Sequence, residues 1–301
     1  MTVHEPMTPD RPAFPRERAR SVVEVALDED LGPGEAVDVT TLATIGEEQV
    51  STAHVVARAP GVVAGVEVVE MVLAAVTDRL GSAPVGVEVA VDDGDGVGRD
   101  DVIAIVTGPT RTILLAERTV LNLLCRLSGI ATHTRRWADE LSGTGARVLD
   151  TRKTTPGLRA LEKYAVRMGG GGNKRMGLFD VAMIKDNHKL AAGGITAAYE
   201  AVRRTFPDVT VEVEATTTDE AVEAVRAGAR FLLLDNMPLE ALAATVRAVR
   251  ATNEAVELEA TGGLTLETAR AVAGTGVDFL SVGGLTHSSP ILDIALDIVP
   301  R

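Results

Sequence analysis

The chain has 301 residues, 46% of them apolar and 24% charged, with a formal net charge of −13. That length allows one large core or two modest ones, and so acidic a balance repels phosphate backbones, which argues against a nucleic-acid partner. No run approaches ~18 successive apolar residues, so no membrane span or membrane partner is expected. The N-terminus lacks the apolar core of a secretory signal, and Cys125 alone cannot form an intramolecular disulfide; both point to a reducing cytoplasm.

Residues 1–15 hold four prolines and few apolar residues, which reads as a loose arm. Apolar positions at helical spacing then predict a helix over 16–31, stopped by the turn LGPGEAVDVTT. STAHVVARAPGVVAGVEVVEMVLAAV reads as strand returning to helix, and VGVEVAVDDGDGVGRDDVIAIVTGPT as a hairpin-like pair of β-branched runs around a Gly/Asp turn. The long helix ILLAERTVLNLLCRLSGIATHTRRWADELS follows as the exit from an α+β domain ending near residues 115–128.

Beyond it, short Val/Leu/Ile-rich strands alternate with helical segments: RVLDTRK, VAMIKDN, VTVEVEATT, RFLLLDNM, AVELEATGG and DFLSVGG. The last four recur every 21–25 residues, one βα unit each. Continuous apolar strands in such units predict a parallel sheet covered by helices, and six of them make an incomplete, open α/β barrel. The polar residues come directly after each apolar run: Arg152 and Lys153, Lys185, Glu214, Asp235, the Thr261-Gly262-Gly263 turn, and the Gly283-Gly284 turn with His287. That is the C-terminal rim, where barrel enzymes keep their chemistry.

Between Asp150 and Leu190 the sign of the charge reverses, with nine Lys/Arg against four Asp/Glu. A cationic zone of Arg152, Lys153, Lys174, Arg175 and Lys185 suits a small, multiply anionic ligand, arginine's planar fork being matched to carboxylates. A lone lysine there would instead suit Schiff-base chemistry. Glu214 and Asp235, on adjacent units, either converge on a hard divalent cation such as Mg²⁺ or cap helices. The glycine turns at Gly262, Gly263, Gly283 and Gly284 resemble a barrel phosphate site. GGGGNKR reads as a flexible cover or as a plain surface loop, and His188 in KDNHK as a residue that caps or orients.

The motifs AERTVLNLLCRLSGIAT, LDTRKTTPGLRALEKYAVRMGGG, IKDNH, VEVEATT, LLDNM, LEATGGL and SVGGLTHS resemble, in order, those of the carboxylating nicotinate-nucleotide pyrophosphorylases, or quinolinate phosphoribosyltransferases. The resemblance implies an N-terminal α/β domain over 16–128, completed by about 286–301, beside an open barrel over 129–285, in a homodimer or an assembly of dimers. It implies transfer of phosphoribosyl from phosphoribosyl pyrophosphate to quinolinate, with Mg²⁺, giving nicotinate mononucleotide, pyrophosphate and CO2. Arg118 would be lent across the dimer interface. Arg152, Arg175 and Lys185 would hold the quinolinate carboxylates. Lys153 would stand between carboxylate and phosphoribosyl groups, Glu214 and Asp235 would face ribose and metal, and Thr261, Gly262, Gly263, Gly283, Gly284 and His287 would line the phosphate side. One departure is Lys174, where the family's motif has histidine. Lysine keeps a positive charge and loses the imidazole's planar shape, so a paralogue acting on another pyridine or aromatic acid is the alternative.

Overall fold

The computed structural model describes residues 11–32 and 38–300, so residues 1–10 of the expected arm lie outside the described residues. The chain divides into two compact units.

The first unit comprises Asp10–Arg135, Thr154–Gly170 and Thr286–Arg301. It begins with α1 (Arg16–Leu31), the helix the apolar spacing predicts, and α2 (Val39–Thr44), capped by the Asp38 carboxylate. Next come β1 (Val50–Ala57), β2 (Gly61–Val62), α3 (Glu67–Leu80), β3 (Gly86–Val89), β4 (Gly96–Val97) and β5 (Val102–Pro109). The helix α4 (Thr110–Glu140) follows; α5 (Arg159–Met168) and the C-terminal strand β12 (Ile294–Ile298) return to this unit. Its antiparallel sheet runs β12-β1-β5-β3, so the tail supplies an edge strand.

Buried polar contacts explain why α5 and the tail belong here. Tyr164 of α5 donates its hydroxyl to Asp93 Oδ2 at 2.6 Å, and Asp93 Oδ1 accepts from Val66 N. Glu162, fully buried, accepts from Arg126 of α4 at 2.8 Å and from the Thr155 backbone at 3.0 Å. The same guanidinium donates to the Thr286 and Ser289 carbonyls of the tail.

The barrel unit comprises Arg136–Lys153 and Gly171–Leu285. Its strands are β6 (Arg147–Leu149), β7 (Val181–Ile184), β8 (Thr210–Ala215), β9 (Phe231–Asp235), β10 (Glu257–Thr261) and β11 (Phe279–Ser281). Between them run α6 (Asp186–Ala192), α7 (Ile195–Thr205), α8 (Thr218–Arg226), α9 (Leu239–Thr252) and α10 (Leu266–Ala273), with α11 (Gly284–His287) after the last strand. All strand pairs are parallel, in the order β6-β11-β10-β9-β8-β7. The first strand in sequence thus pairs with the last, as in a barrel, while β6 and β7 remain unpaired with each other. Gly172 bridges the free side of β6, its N–H donating to Val148 O at 2.9 Å.

Alternation sorts the side chains by face. Val211, Val213, Leu232, Leu234, Leu258, Ala260 and Leu280 are buried on the side the helices cover. The other face carries Leu149, Phe231 and Phe279, which form one apolar cluster although they come from β6, β9 and β11; the two phenyl rings stack 6.0 Å apart across the intervening β10. Only a curled sheet brings those strands together on its inner side.

On that inner face Glu212 (β8) and Glu259 (β10) are both fully buried, and Lys174 fills the space between them, its Nζ 2.7 Å from one carboxylate and 2.6 Å from the other. Burial alone would drive the ammonium toward neutrality; the two carboxylates overcome it and hold the lysine above its ordinary value. Burial also pushes the Glu259 carboxyl up to about 8, Lys174 opposing the rise and Glu212 adding to it. A proton on Glu259 makes the group of three electrically neutral, which a dry interior requires.

Two outcomes follow for stability. Gly129 lies in α4, where alanine would ordinarily gain about 1 kcal/mol in helix propensity. Here a Cβ would stand 2.1 Å from Pro290 O and 2.7 Å from Ile291 Cα, both backbone atoms of the docked tail. Gly129→Ala should therefore lose about 3 kcal/mol in urea unfolding, whereas a neutral or stabilising result would show that the tail gives way freely.

The second concerns pH. Between an ordinary carboxyl value of 4.5 and about 8, the folded chain keeps a proton on Glu259 that the unfolded chain has released. This contribution is complete at the acid end and is lost as pH rises through the window. Tm should fall by roughly 5 °C from about pH 6 to about pH 8, and Glu259→Gln should flatten that slope; an unchanged slope would assign the proton elsewhere.

Candidate active site at the barrel rim

The inner face continues upward from the ionic layer to the C-terminal strand ends. Glu214, two residues beyond Glu212 on β8, points the same way and is nearly buried; its Oε2 accepts from Lys185 Nζ at 2.5 Å. Lys185 directly follows β7 and caps α6. Its backbone N–H donates to His188 Nδ1 at 3.0 Å, so this imidazole is committed to the turn, as capping or orienting demands. The buried ammonium of Lys189 reaches the Glu214 carbonyl at 3.2 Å and the Glu220 carboxylate at 2.9 Å, fixing the end of β8 from below.

Asp235 ends β9, next to Glu214 in the sheet. Its carboxyl is raised above the ordinary value by burial first and by the Glu214 charge second, with Lys185 and Lys153 opposing. A carboxyl whose charge is disfavoured beside a second carboxylate is a place where a cation is favoured. Among the described residues no cluster of three or more His, Cys, Asp or Glu could hold a metal, so any ion here needs oxygens from its ligand.

The opposite charge is concentrated near β6 and β7. Arg175 donates to Val181 O at 3.1 Å and is partly buried; burial, and then the nearby Arg152, push its guanidinium below the ordinary value. Arg152 has a buried Nε without a hydrogen-bond partner. Two guanidiniums held close against their own repulsion, one with a spare N–H, form a receptor for an anion. Lys153 is exposed beside them on the turn after β6.

The glycine turn after β10 has a steric reason. Gly262 has φ +87°, and a Cβ there would lie 2.9 Å from Asn236 N in the turn after β9. Asn236, itself at φ +53°, donates its N–H to Thr261 O at 2.8 Å, so the two turns are locked together. Gly283 and Gly284 follow β11 as expected, without positive φ.

Of the expected residues, the barrel unit gathers Arg152, Lys153, Arg175, Lys185, Glu214, Asp235, Thr261, Gly262, Gly263, Gly283 and Gly284 at the strand ends. Arg118 is exposed on α4 and His287 exposed beside Ser288, both in the first unit. Lys174 departs from the expected cationic zone, because its ammonium turns inward to Glu212 and Glu259. The inner glutamates, Asp150 and Lys189 escaped the reading of the sequence; the available signal was the acid at every second position of VEVEA and ELEA, in strands too apolar to face solvent.

Comparison with known proteins agrees with this geometry. Residues 38–128 match the N-terminal domain, and residues 130–297 the C-terminal domain, of quinolinate phosphoribosyl transferase. The carboxylating nicotinate-nucleotide pyrophosphorylase of Mycobacterium leprae is 46% identical over 93% of this chain and 97% of its own length. A probable carboxylating nicotinate-nucleotide pyrophosphorylase of Bacillus subtilis is 42% identical over 90% of each. The structure of the nicotinate-nucleotide pyrophosphorylase from Francisella tularensis superposes with a TM-score of 0.86 at 34% identity, covering 97% of this chain and all of that one. The chain therefore belongs to the quinolinate phosphoribosyltransferase family.

Proposed function

We propose that the chain transfers the phosphoribosyl group of phosphoribosyl pyrophosphate to quinolinate and decarboxylates the product, yielding nicotinate mononucleotide, pyrophosphate and CO2 for NAD synthesis. The observation that carries this reading is the divided rim: guanidiniums Arg152 and Arg175 on one side, carboxylates Glu214 and Asp235 on the other, with Lys185 paired to Glu214 between them.

The chemistry fits a site without a general base. The pyridine nitrogen attacks the anomeric carbon with its own lone pair while pyrophosphate departs with the bonding electrons, so no proton has to be removed. The ring nitrogen becomes cationic; the carbon–carboxylate bond then breaks, its electrons are held by the ring cation, CO2 leaves, and the ring carbon takes a proton from solvent. The protein's work is alignment and charge stabilisation. Arg152, Arg175 and Lys185 hold the acid's carboxylates, and Lys153 stands between acid and phosphoribosyl group. Thr261, Gly262, Gly263, Gly283 and Gly284 line the phosphate side.

Glu214 and Asp235 suit Mg²⁺, which when bound supplies positive charge to the departing pyrophosphate. The Asp235 carboxyl, raised by burial and by the adjacent Glu214 charge, is the feature that fits the pair to it. Because Lys174 sends its charge inward, it adds no cation to the rim, and the substitution gives no reason to assign a different acid.

We infer a homo-oligomer, with Arg118 reaching a neighbouring subunit's rim. Supporting this, the free edge of β7 is flanked by exposed Leu178, Phe179 and Leu190, and an apolar groove of about 510 Å³ opens beside it. No helix among the described residues is long and apolar enough to cross a membrane. The lone buried Cys125 suits a reducing cytoplasm.

Purified protein given phosphoribosyl pyrophosphate and Mg²⁺ should release pyrophosphate and CO2 in equal amounts with quinolinate and neither with nicotinate; release with nicotinate, or none with quinolinate, would sink the reading. Arg118→Ala and Glu214→Ala proteins, each inactive alone, should recover about a quarter of parental activity after subunit exchange, since half of all dimers are then mixed and each mixed dimer carries one intact site of its two. No recovery despite demonstrated exchange would exclude a shared site.

A further inference from the structure

Residues 172–175 form a short tether across the opening between β6 and β7. Gly172 pairs with β6. Asn173 donates its side-chain amide to Asp150 Oδ2 at 2.7 Å, and the Lys174 backbone N–H donates to Asp150 Oδ1 at 2.8 Å. Asp150, fully buried just after β6, thereby grips two successive residues. The Lys174 side chain then enters the curled sheet and ties this tether to β8 and β10 through Glu212 and Glu259. The next residue is Arg175, whose guanidinium reaches β7 at Val181 O and feels the Glu212 charge.

One lysine therefore joins three strands of the sheet and sits one peptide bond from a rim guanidinium. Both glutamates have their remaining carboxylate oxygen, Oε2, buried without a hydrogen-bond partner, and without the lysine Glu259 keeps only the neighbouring Ser281 hydroxyl. Losing the ammonium leaves the Glu212 charge and the Glu259 carboxyl facing each other in a dry interior with no cation between them. They must then either take up protons or move apart, and β8 and the 172–175 tether move with them. The lysine's own charge lies within the sheet, with its side chain only 6% exposed.

We propose that Lys174 is a positioning residue for the acceptor acid: anchored between Glu212 and Glu259, it sets where Arg175 stands and does not itself touch the acid. The proposal rests on the assignment of Arg175 to the acid's carboxylates.

The test compares KM for quinolinate, KM for phosphoribosyl pyrophosphate, kcat and Tm in the parent, Lys174→Met, Arg175→Lys, and the triple variant Lys174→Met/Glu212→Gln/Glu259→Gln. The triple variant removes all three charges at nearly constant volume, which buried ion groups tolerate far better than loss of one member. Lys174→Met should raise KM for quinolinate about tenfold or more, the size of effect a misaimed arginine produces, with KM for phosphoribosyl pyrophosphate within about threefold of the parent. The triple variant should return the quinolinate KM to within about threefold. Should Lys174→Met fail to fold, the triple variant still decides. A quinolinate KM that stays high in a folded triple variant would make Lys174 a direct ligand and overturn the proposal. A fall in Tm and active fraction with both KM values unchanged would leave it a purely structural role and overturn it equally. An Arg175→Lys variant with unaltered quinolinate KM would instead bring down the assignment of Arg175, and the proposal with it.

Discussion

Lys174 cannot be buried alone, and neither can Glu212 or Glu259. Each would be too costly to desolvate singly, and together they form a group that approaches neutrality when Glu259 keeps its proton. Barrel interiors are ordinarily filled with branched apolar side chains. In this one Glu212 and Glu259 stand in register with Phe231 and Phe279, and the polar rim of Glu214 and Asp235 follows further along the strands. Removing Lys174 or Glu212 alone would cost about 3–5 kcal/mol, because the opposite charge is left dry and uncompensated. The layer is thus a weak source of net stability and a strong source of registration: it accepts only an arrangement in which β8, β10 and the 172–175 tether meet.

That registration compensates for the missing strand pair. A closed barrel positions its strands by hydrogen bonds around the whole ring, whereas here β6 and β7 do not pair. The opening is spanned by one bridge at Gly172, by Asp150 holding Asn173 and Lys174, and by the ammonium beyond. The residues around this opening, Arg152, Arg175 and Lys185, are the cations proposed to hold the acid's carboxylates. A parallel sheet closed all round would leave no room for a chain segment to enter and place an arginine there.

The sequence disclosed most of the fold because the βα units are built from continuous apolar strands, each followed by its polar residue. RFLLLDNM shows the strand, the rim acid Asp235 and the turn residue Asn236 in eight letters. What it hid has identifiable causes. Lys174 stands in the same glycine-rich stretch as Arg175, and counting charges cannot distinguish a side chain that points out from one that points in. The decisive information is on other strands, in Glu212 and Glu259, whose alternation in VEVEA and ELEA places them on the inner face only once the curl of the sheet is known. The return of α5 to the first unit was hidden for a similar reason: its anchors, Asp93 and Arg126, lie 71 and 36 residues away from their partners in the chain.

Charge also explains how an acidic protein binds acidic substrates. With a net charge of −13 the surface as a whole repels quinolinate and phosphoribosyl pyrophosphate, so attraction has to be local. The cations of the barrel unit between Asp150 and Leu190 supply it, yet they are not equivalent. Lys189 is committed to Glu220 and the Glu214 carbonyl, and Lys174 to the inner glutamates. Arg175, by contrast, is disfavoured as a cation by burial and by the nearby Arg152, and Asp235 as an anion by burial and by the nearby Glu214. Like charges kept together on each side of one rim mean that the folded protein carries strain which ligand binding relieves. An anionic acid at the guanidiniums would relieve it on one side, and a cation held by Glu214 and Asp235 would relieve it on the other, so substrate binding and preparing the rim for charge separation would be the same electrostatic event.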